Sequence, residues 1–253
     1  MHIDRQKALK AFADYTEKYN ADDPKVKLKI DHTYRVAGFC QEIARSIGLS
    51  QEETDLSWLC GLLHDVGRFE QLRNYGTFID AQSIDHAMYG AEILFDQRRI
   101  RDYVEDSSED DFLRKVVSCH SAYRIPEEYD ERTVLFANIL RDADKVDILR
   151  VNVETPLEEI YNVSTDVLRS ESVTFEVLQA FLEGHTVLRA LKRTAVDNVV
   201  GHISLVYELV FPISLHMVKE QGYLNRLMDF QSDNPDTKDN FKMIREKMAS
   251  YLA

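Results

Sequence analysis

GLLHDVGRFE, residues 61–70, sets a histidine beside an aspartate at the end of an apolar run. Leu59, Leu62, Leu63 and Val66 give that run a face to bury, and Gly67 offers a backbone position at which a helix can stop. The spacing predicts a helix whose last buried turn carries His64 and Asp65. Successive helical residues point about 100° apart with a rise of about 1.5 Å, so the imidazole and the carboxylate diverge yet can both reach an ion between them. A lone His-Asp pair carries little weight. The other histidines and aspartates of the chain decide what it means.

Outward from this stretch the helical period continues. Leu9, Phe12, Ala13 and Tyr15 among charges predict an opening helix over 3–19, ended by a turn at 20–24. Ile30, Tyr34, Ala37, Cys40, Gln41 and Ala44 line one face of a second helix over about 26–47, closed by Gly48. Ser50 with Glu53 is a capping-box signal for the helix that runs through Trp58 to His64. Residues 74–83 (NYGTFIDAQS) have turn composition, and helical period returns over 85–95, 98–104, 112–119 and 131–149. Thr155-Pro156 opens a short helix, stretches 174–183, 194–211, 213–220 and 241–252 read as further helices, and 232–239 reads as a polar loop. Gly (9) and Pro (5) are scarce and strand-like alternation is nearly absent, so the expected fold class is all-α. With 253 residues, 44% of them hydrophobic, the chain is expected to form a single domain over 1–253. Its motif core spans about 30–149 and a helical C-terminal extension about 150–253.

A net charge of −13 repels a phosphate backbone and argues against a general nucleic-acid binder. A small substrate met at a locally positive site fits better. The acidic run 105–111 (EDSSEDD) suits the positive dipole end of the following helix and lacks the glycine turn of a calcium loop. Cys40, Cys60 and Cys119 are too few and too scattered for a disulfide framework and fit a reducing compartment. The opening MHIDRQKALKAF lacks the apolar core of a signal peptide, and no run approaches the roughly 20 apolar residues of a membrane span. A cytoplasmic protein without membrane contact is expected, and the sequence leaves a homo-oligomer open.

The candidate ligands fall in chain order as His32, His64-Asp65, His86, His120 and Asp144, on or beside five helices. Imidazole nitrogens with carboxylate oxygens make a borderline site for Mn, Fe, Ni, Co or Zn, and an aspartate has two oxygens with which to bridge two ions. Cys60, four residues before His64, and Cys119, beside His120, make a Cys/His zinc site the competing arrangement, which leaves the aspartates unexplained.

At these residues the chain resembles the HD-domain superfamily of metal-dependent phosphohydrolases, whose signature is H…HD…D. His32 in HTYRVAGFCQEIA matches the first histidine, His64-Asp65 in LLHDVG the central doublet, and Asp144 in ANILRDADKVDIL the closing aspartate. The resemblance implies a helical bundle around a metal held by His32, His64, Asp65 and Asp144. It further implies that His86 and His120 hold a second ion, bridged by Asp65, or else act on the substrate. Ser121 stands where cyclic-dinucleotide phosphodiesterases of the superfamily often have a second histidine, and their Gly-Tyr-Pro motif is absent. One or two divalent ions are therefore the expected cofactors.

The implied activity is hydrolysis of a phosphomonoester or phosphodiester of a nucleotide, with Asp65 bridging the ions or orienting water. Arg68 and Lys145 are the candidate cations for the phosphoryl oxygens. Tyr75, Phe78, Tyr123 and Tyr129, in the loops after 73 and 123, are candidates to stack a base. His2, His185, His202 and His216 match no position of the signature and read as structural or exposed. The alternative is a regulatory module that keeps the metal or nucleotide site without turnover. A structural zinc protein is a third reading, in which metal removal unfolds the chain.

Overall fold

The computed structural model describes residues 1–252, and among them no strand is present. The chain divides into two compact units, Met1–Asp144 and Lys145 onwards, and the division falls within one long helix. No helix among the described residues is long and apolar enough to cross a membrane.

The first unit contains α1 (Arg5–Thr16), α2 (Pro24–Ser46), α3 (Gln51–Leu63), α4 (Val66–Tyr75), α5 (His86–Ala91), α6 (Ile100–Tyr103), α7 (Asp110–Ser118) and the start of α8 (Glu131–Glu154). Side-chain caps open several of them. Asp4 accepts from the amides of Gln6 and Lys7, Asp23 from Lys25, Ser50 from Glu53, and Asp85 from Ala87 and Met88.

The core helices approach closely because two glycines allow it. A Cβ on Gly61 of α3 would lie 2.6 Å from the Ala37 Cα, so α3 can rest on α2 only with a hydrogen there. A Cβ on Gly67 would lie 2.2 Å from the His86 carbonyl oxygen and 2.6 Å from the Gly90 nitrogen, which brings α4 onto α5 in the same way. Gly67 was expected to end the helix of the HD doublet. Instead α3 ends at Leu63, His64 and Asp65 form the corner, and Gly67 lies in the first turn of α4. The glycine serves close packing rather than termination.

α1 closes over this corner. Phe12, Tyr15 and Tyr19 pack edge-on or tilted against Phe69 with ring centroids 5.4–6.0 Å apart, and the Tyr15 hydroxyl donates to the Val66 carbonyl at 3.0 Å. The residue after Asp65 is thereby tied to another helix.

In the second unit α11 (Phe175–Leu182) packs on α12 (Ala195–Ser204) and on α15 (Pro235–Leu252), with Val177, Phe181, Val200, Ile203, Ile244 and Met248 fully buried. Between α8 and α11 lie α9 (Leu157–Tyr161) and α10 (Thr165–Ser170), and between α12 and α15 lie α13 (Pro212–Gln221) and α14 (Tyr223–Met228). Buried Asp197 accepts from the amides of Thr174, Arg193 and Thr194 and from the Thr174 hydroxyl, which joins the starts of α11 and α12.

Candidate metal centre

The first group of ligand atoms comes from three helices. α2 carries His32, α3 ends against His64, and α8 supplies Asp144. Because Gly61 lets α3 sit on α2, His64 Nε2 comes within 3.3 Å of His32 Nε2. Asp144 Oδ1 lies 3.2 Å from His32 Nε2 and 3.9 Å from His64 Nε2. These three atoms converge tightly enough to share one ion.

The second group is set by α5 and α7. His86 opens α5 and His120 follows the end of α7, and their Nε2 atoms lie 3.0 Å apart. Asp65 stands between the groups. Its Oδ2 is 3.5 Å from both His32 Nε2 and His64 Nε2, while its Oδ1 is 3.6 Å from His86 Nε2 and 3.9 Å from His120 Nε2. One carboxylate thus turns an oxygen to each pair of imidazoles.

The hydrogen bonds on the far side of three rings fix their tautomers. His64 Nδ1 donates to the Gly61 carbonyl at 2.7 Å, His120 Nδ1 to the Val117 carbonyl at 2.7 Å, and His86 Nδ1 to Asp80 Oδ2 at 2.8 Å. A carbonyl can only accept, as can the ionised Asp80 carboxylate, so each Nδ1 bears the hydrogen and each Nε2 presents a lone pair. Burial keeps the rings neutral: it lowers His64 and brings His86 and His120 to about 4, the bond to Asp80 only partly opposing it at His86. His86 and His120 therefore face each other as two buried acceptors 3.0 Å apart. Such a pair is repulsive unless a cation shares it, and this is where the structure fits a divalent ion.

The carboxylates stay charged. Burial pushes Asp65 up, but the charges around it, Lys29 foremost, outweigh burial and hold the carboxyl well below the usual range. Asp144 is also held below that range, against burial, by its hydrogen bond and proximity to His32 and by His64 and His120. Asp80, raised by burial, is brought down to about 2 by His86, Arg68 and Gln71.

Three residues outside the motif belong to this geometry. Lys29, one turn before His32, places Nζ 2.7 Å from Asp65 Oδ2 with its side chain largely buried. Spacing of three from His32 on one helix was the signal for it. Asp80 lies in the loop after α4, where only turn composition was legible. Arg141, one turn before Asp144, is buried and donates to the carbonyls of Cys119, His120, Ala122 and Tyr123, which ties the His120 loop to α8.

The expected cations are engaged differently. Arg68 Nη1 donates to the Phe78 carbonyl at 2.6 Å, to Gln71 Oε1 at 2.8 Å and to Asp80 Oδ1 at 2.9 Å, which anchors the loop. Its Nε is buried without a hydrogen bond and lies 3.6 Å from Asp65 Oδ1. Lys145 belongs to the second unit, where its Nζ lies 3.1 Å from Glu208 Oε2. Cys60 and Cys119 enter none of the converging ligand groups among the described residues, and burial raises both thiols. The grouping of Asp80 and Asp85 with His86 has other work: Asp80 binds Nδ1 and Asp85 caps α5. His202 bonds Tyr161 at 3.2 Å and His216 pairs with Glu220.

An all-helical unit that brings histidines and aspartates from five helices around one buried carboxylate defines a protein whose side chains could hold a metal ion. Residues 30–149 match the family model of the HD domain, which supports assigning the chain to the HD-domain superfamily. No curated protein matches the chain, and no solved structure does.

Proposed function

We propose that the chain is a metal-dependent phosphohydrolase that cleaves a phosphate ester of a nucleotide, monoester or diester, with water as nucleophile. The observation that carries this reading is Asp65, whose two oxygens each face a pair of imidazole Nε2 atoms. His32, His64 and Asp144 would hold one ion, His86 and His120 the other, with Asp65 bridging. Bound divalent ions supply the Lewis acidity, drawing charge from a phosphoryl oxygen and lowering the pKa of water towards neutrality.

The chain's own residues do the rest. Asp65 remains ionised and orients water. Lys29, beside its Oδ2, is the cation we assign to a phosphoryl oxygen, and the buried Arg68 Nε has a donor left for a second. Asp80 and Arg141 hold His86 and the His120 loop in place. Phe78, whose ring lies 5.5 Å from Lys29 Nζ and 5.8 Å from the Arg68 guanidinium, is the loop aromatic assigned to the base.

The test is product release from nucleoside mono- and diphosphates and cyclic dinucleotides with manganese or iron supplied. The wild type should release phosphate or nucleotide, and Asp65→Ala should fall by at least about a hundredfold. No product from any substrate with any metal would favour the regulatory module that retains the site without turnover.

A further inference from the structure

The second unit holds a cavity of about 230 Å³ between α8, α9, α12 and α14. A void of about 150 Å³ accommodates benzene, so this one takes a single ring with a substituent at each end. Leu157, Val199, Leu227 and Phe230 supply aliphatic and aromatic walls. We propose that it is a binding site for a small organic anion built on one flat ring, with a hydrogen-bond donor opposite its charge, as in 4-hydroxybenzoate.

The polar groups define that ligand. Asn152 lines the cavity and is only 4% exposed. Its amide nitrogen donates to the Ile148 carbonyl at 2.8 Å, while its Oδ1 accepts no hydrogen bond from the described residues. That oxygen is free to accept from a donor on whatever fills the cavity. Two guanidinium groups also line it, that of Arg169 half-buried and that of Arg226 exposed. Arg226 is exposed and meets the Tyr223 ring at 5.9 Å, with no carboxylate partner among the described residues. Arg169 touches Asp233 through Nε at 3.3 Å and Nη2 at 3.4 Å, both longer than a well-made charge-assisted bond of about 2.8 Å, and its Nη1 has no partner among the described residues. On a chain of net charge −13, two arginines beside one apolar cavity, one of them without an acid, select a small anion. The ring lies against the walls, the anionic head reaches Arg169 and Arg226, and the donor meets Asn152. The site owes nothing to the metal centre and stands whether or not the chain is a hydrolase.

Calorimetric titration of the full chain with 4-hydroxybenzoate, benzoate, phenol and inorganic phosphate tests this. One 4-hydroxybenzoate per chain should bind with Kd of about 1 mM or tighter, with benzoate and phenol each about tenfold weaker and phosphate unsaturable. Arg226→Glu, at an exposed position that leaves folding intact, should weaken binding about tenfold, and Asn152→Leu should abolish the preference over benzoate. His64→Ala should leave the binding unchanged. The proposal is overturned by absence of saturable binding to any ring probe, by indifference to Arg226→Glu, by phosphate binding as tightly as the ring anions, or by loss of binding in His64→Ala.

Discussion

Replacing Asp80 by Asn changes one atom beside His86 and tests how the second ligand pair is held. Asp80 Oδ2 accepts from His86 Nδ1 at 2.8 Å, and its Oδ1 accepts from Arg68 Nη1 and Gln71 Nε2, both at 2.9 Å. Every neighbour is a donor, so an amide in either orientation sets an N–H against an N–H. With the amide nitrogen towards His86, the ring is driven to the tautomer with hydrogen on Nε2 and loses the lone pair it turns towards Asp65 Oδ1. With the nitrogen towards Arg68, the loop carrying Asp80 loses its anchor. Loss of such an outer partner typically costs about 10–100-fold in metal affinity, or about 1.4–2.7 kcal/mol. The His32, His64 and Asp144 group does not touch Asp80, so one ion should weaken and the other should not. Competition against a chromophoric chelator, resolving two binding steps, reads this directly. Two unchanged steps would refute the reasoning, and two equally weakened steps would refute its local character.

Lys29→Met should lower kcat/KM on a phosphate substrate by about 10–100-fold while metal content stays at the wild-type level, since the lysine contacts Asp65 but is no ligand. Steady-state kinetics beside elemental analysis would show it, and unchanged kinetics would dismiss the assignment. Gly67→Ala places a Cβ 2.2 Å from the His86 carbonyl oxygen and 2.6 Å from the Gly90 nitrogen, both backbone. It should cost about 3 kcal/mol and lower Tm by roughly 10 °C, against about 1 kcal/mol for Gly76→Ala, where only the positive φ of 69° is strained. Equal melting losses in calorimetry would contradict the packing argument. Burial brings His86 and His120 to about 4 and lowers His64, so these rings carry no second proton at neutral pH. Metal affinity should then stay flat from pH 7 to about pH 5 and fall as the rings protonate near 4; a tenfold loss already between about pH 7 and 6 would mean ordinary histidines. In the metal-free protein the sign is the same: unfolded rings take protons near 6.5 and folded ones only near 4, so stability is present above about 6.5 and lost as pH falls.

The helical class and the order of the ligands were legible because both are local. Leu59, Leu62 and Leu63 announce a buried helix end, and His64-Asp65 stands in wording shared with a known family. Boundaries were less so. α15 begins at Pro235 rather than near Phe241, because Asn234 caps it through the Thr237 amide and Pro235 fills its first position, a start signal hidden in a stretch that is polar enough to be a loop. Gly67 reads as a stop because a sequence shows that a glycine is present, not which backbone crosses it. Asp80 was out of reach for a related reason: its partner is six residues away across a loop whose path depends on Arg68 and Gln71. Lys29 was within reach, at helical spacing from His32, but a lysine so placed is usually solvated.

The measurement closest to the central claim is anomalous diffraction from crystals of the chain grown with manganese. Two peaks about 3.5–4 Å apart are expected, one touching Asp65 Oδ2 with His32, His64 and Asp144, the other touching Asp65 Oδ1 with His86 and His120. A single peak beside His32 and His64, with His86 and His120 bare, would contradict the bridged pair, and no peak at Asp65 would contradict the metal centre altogether.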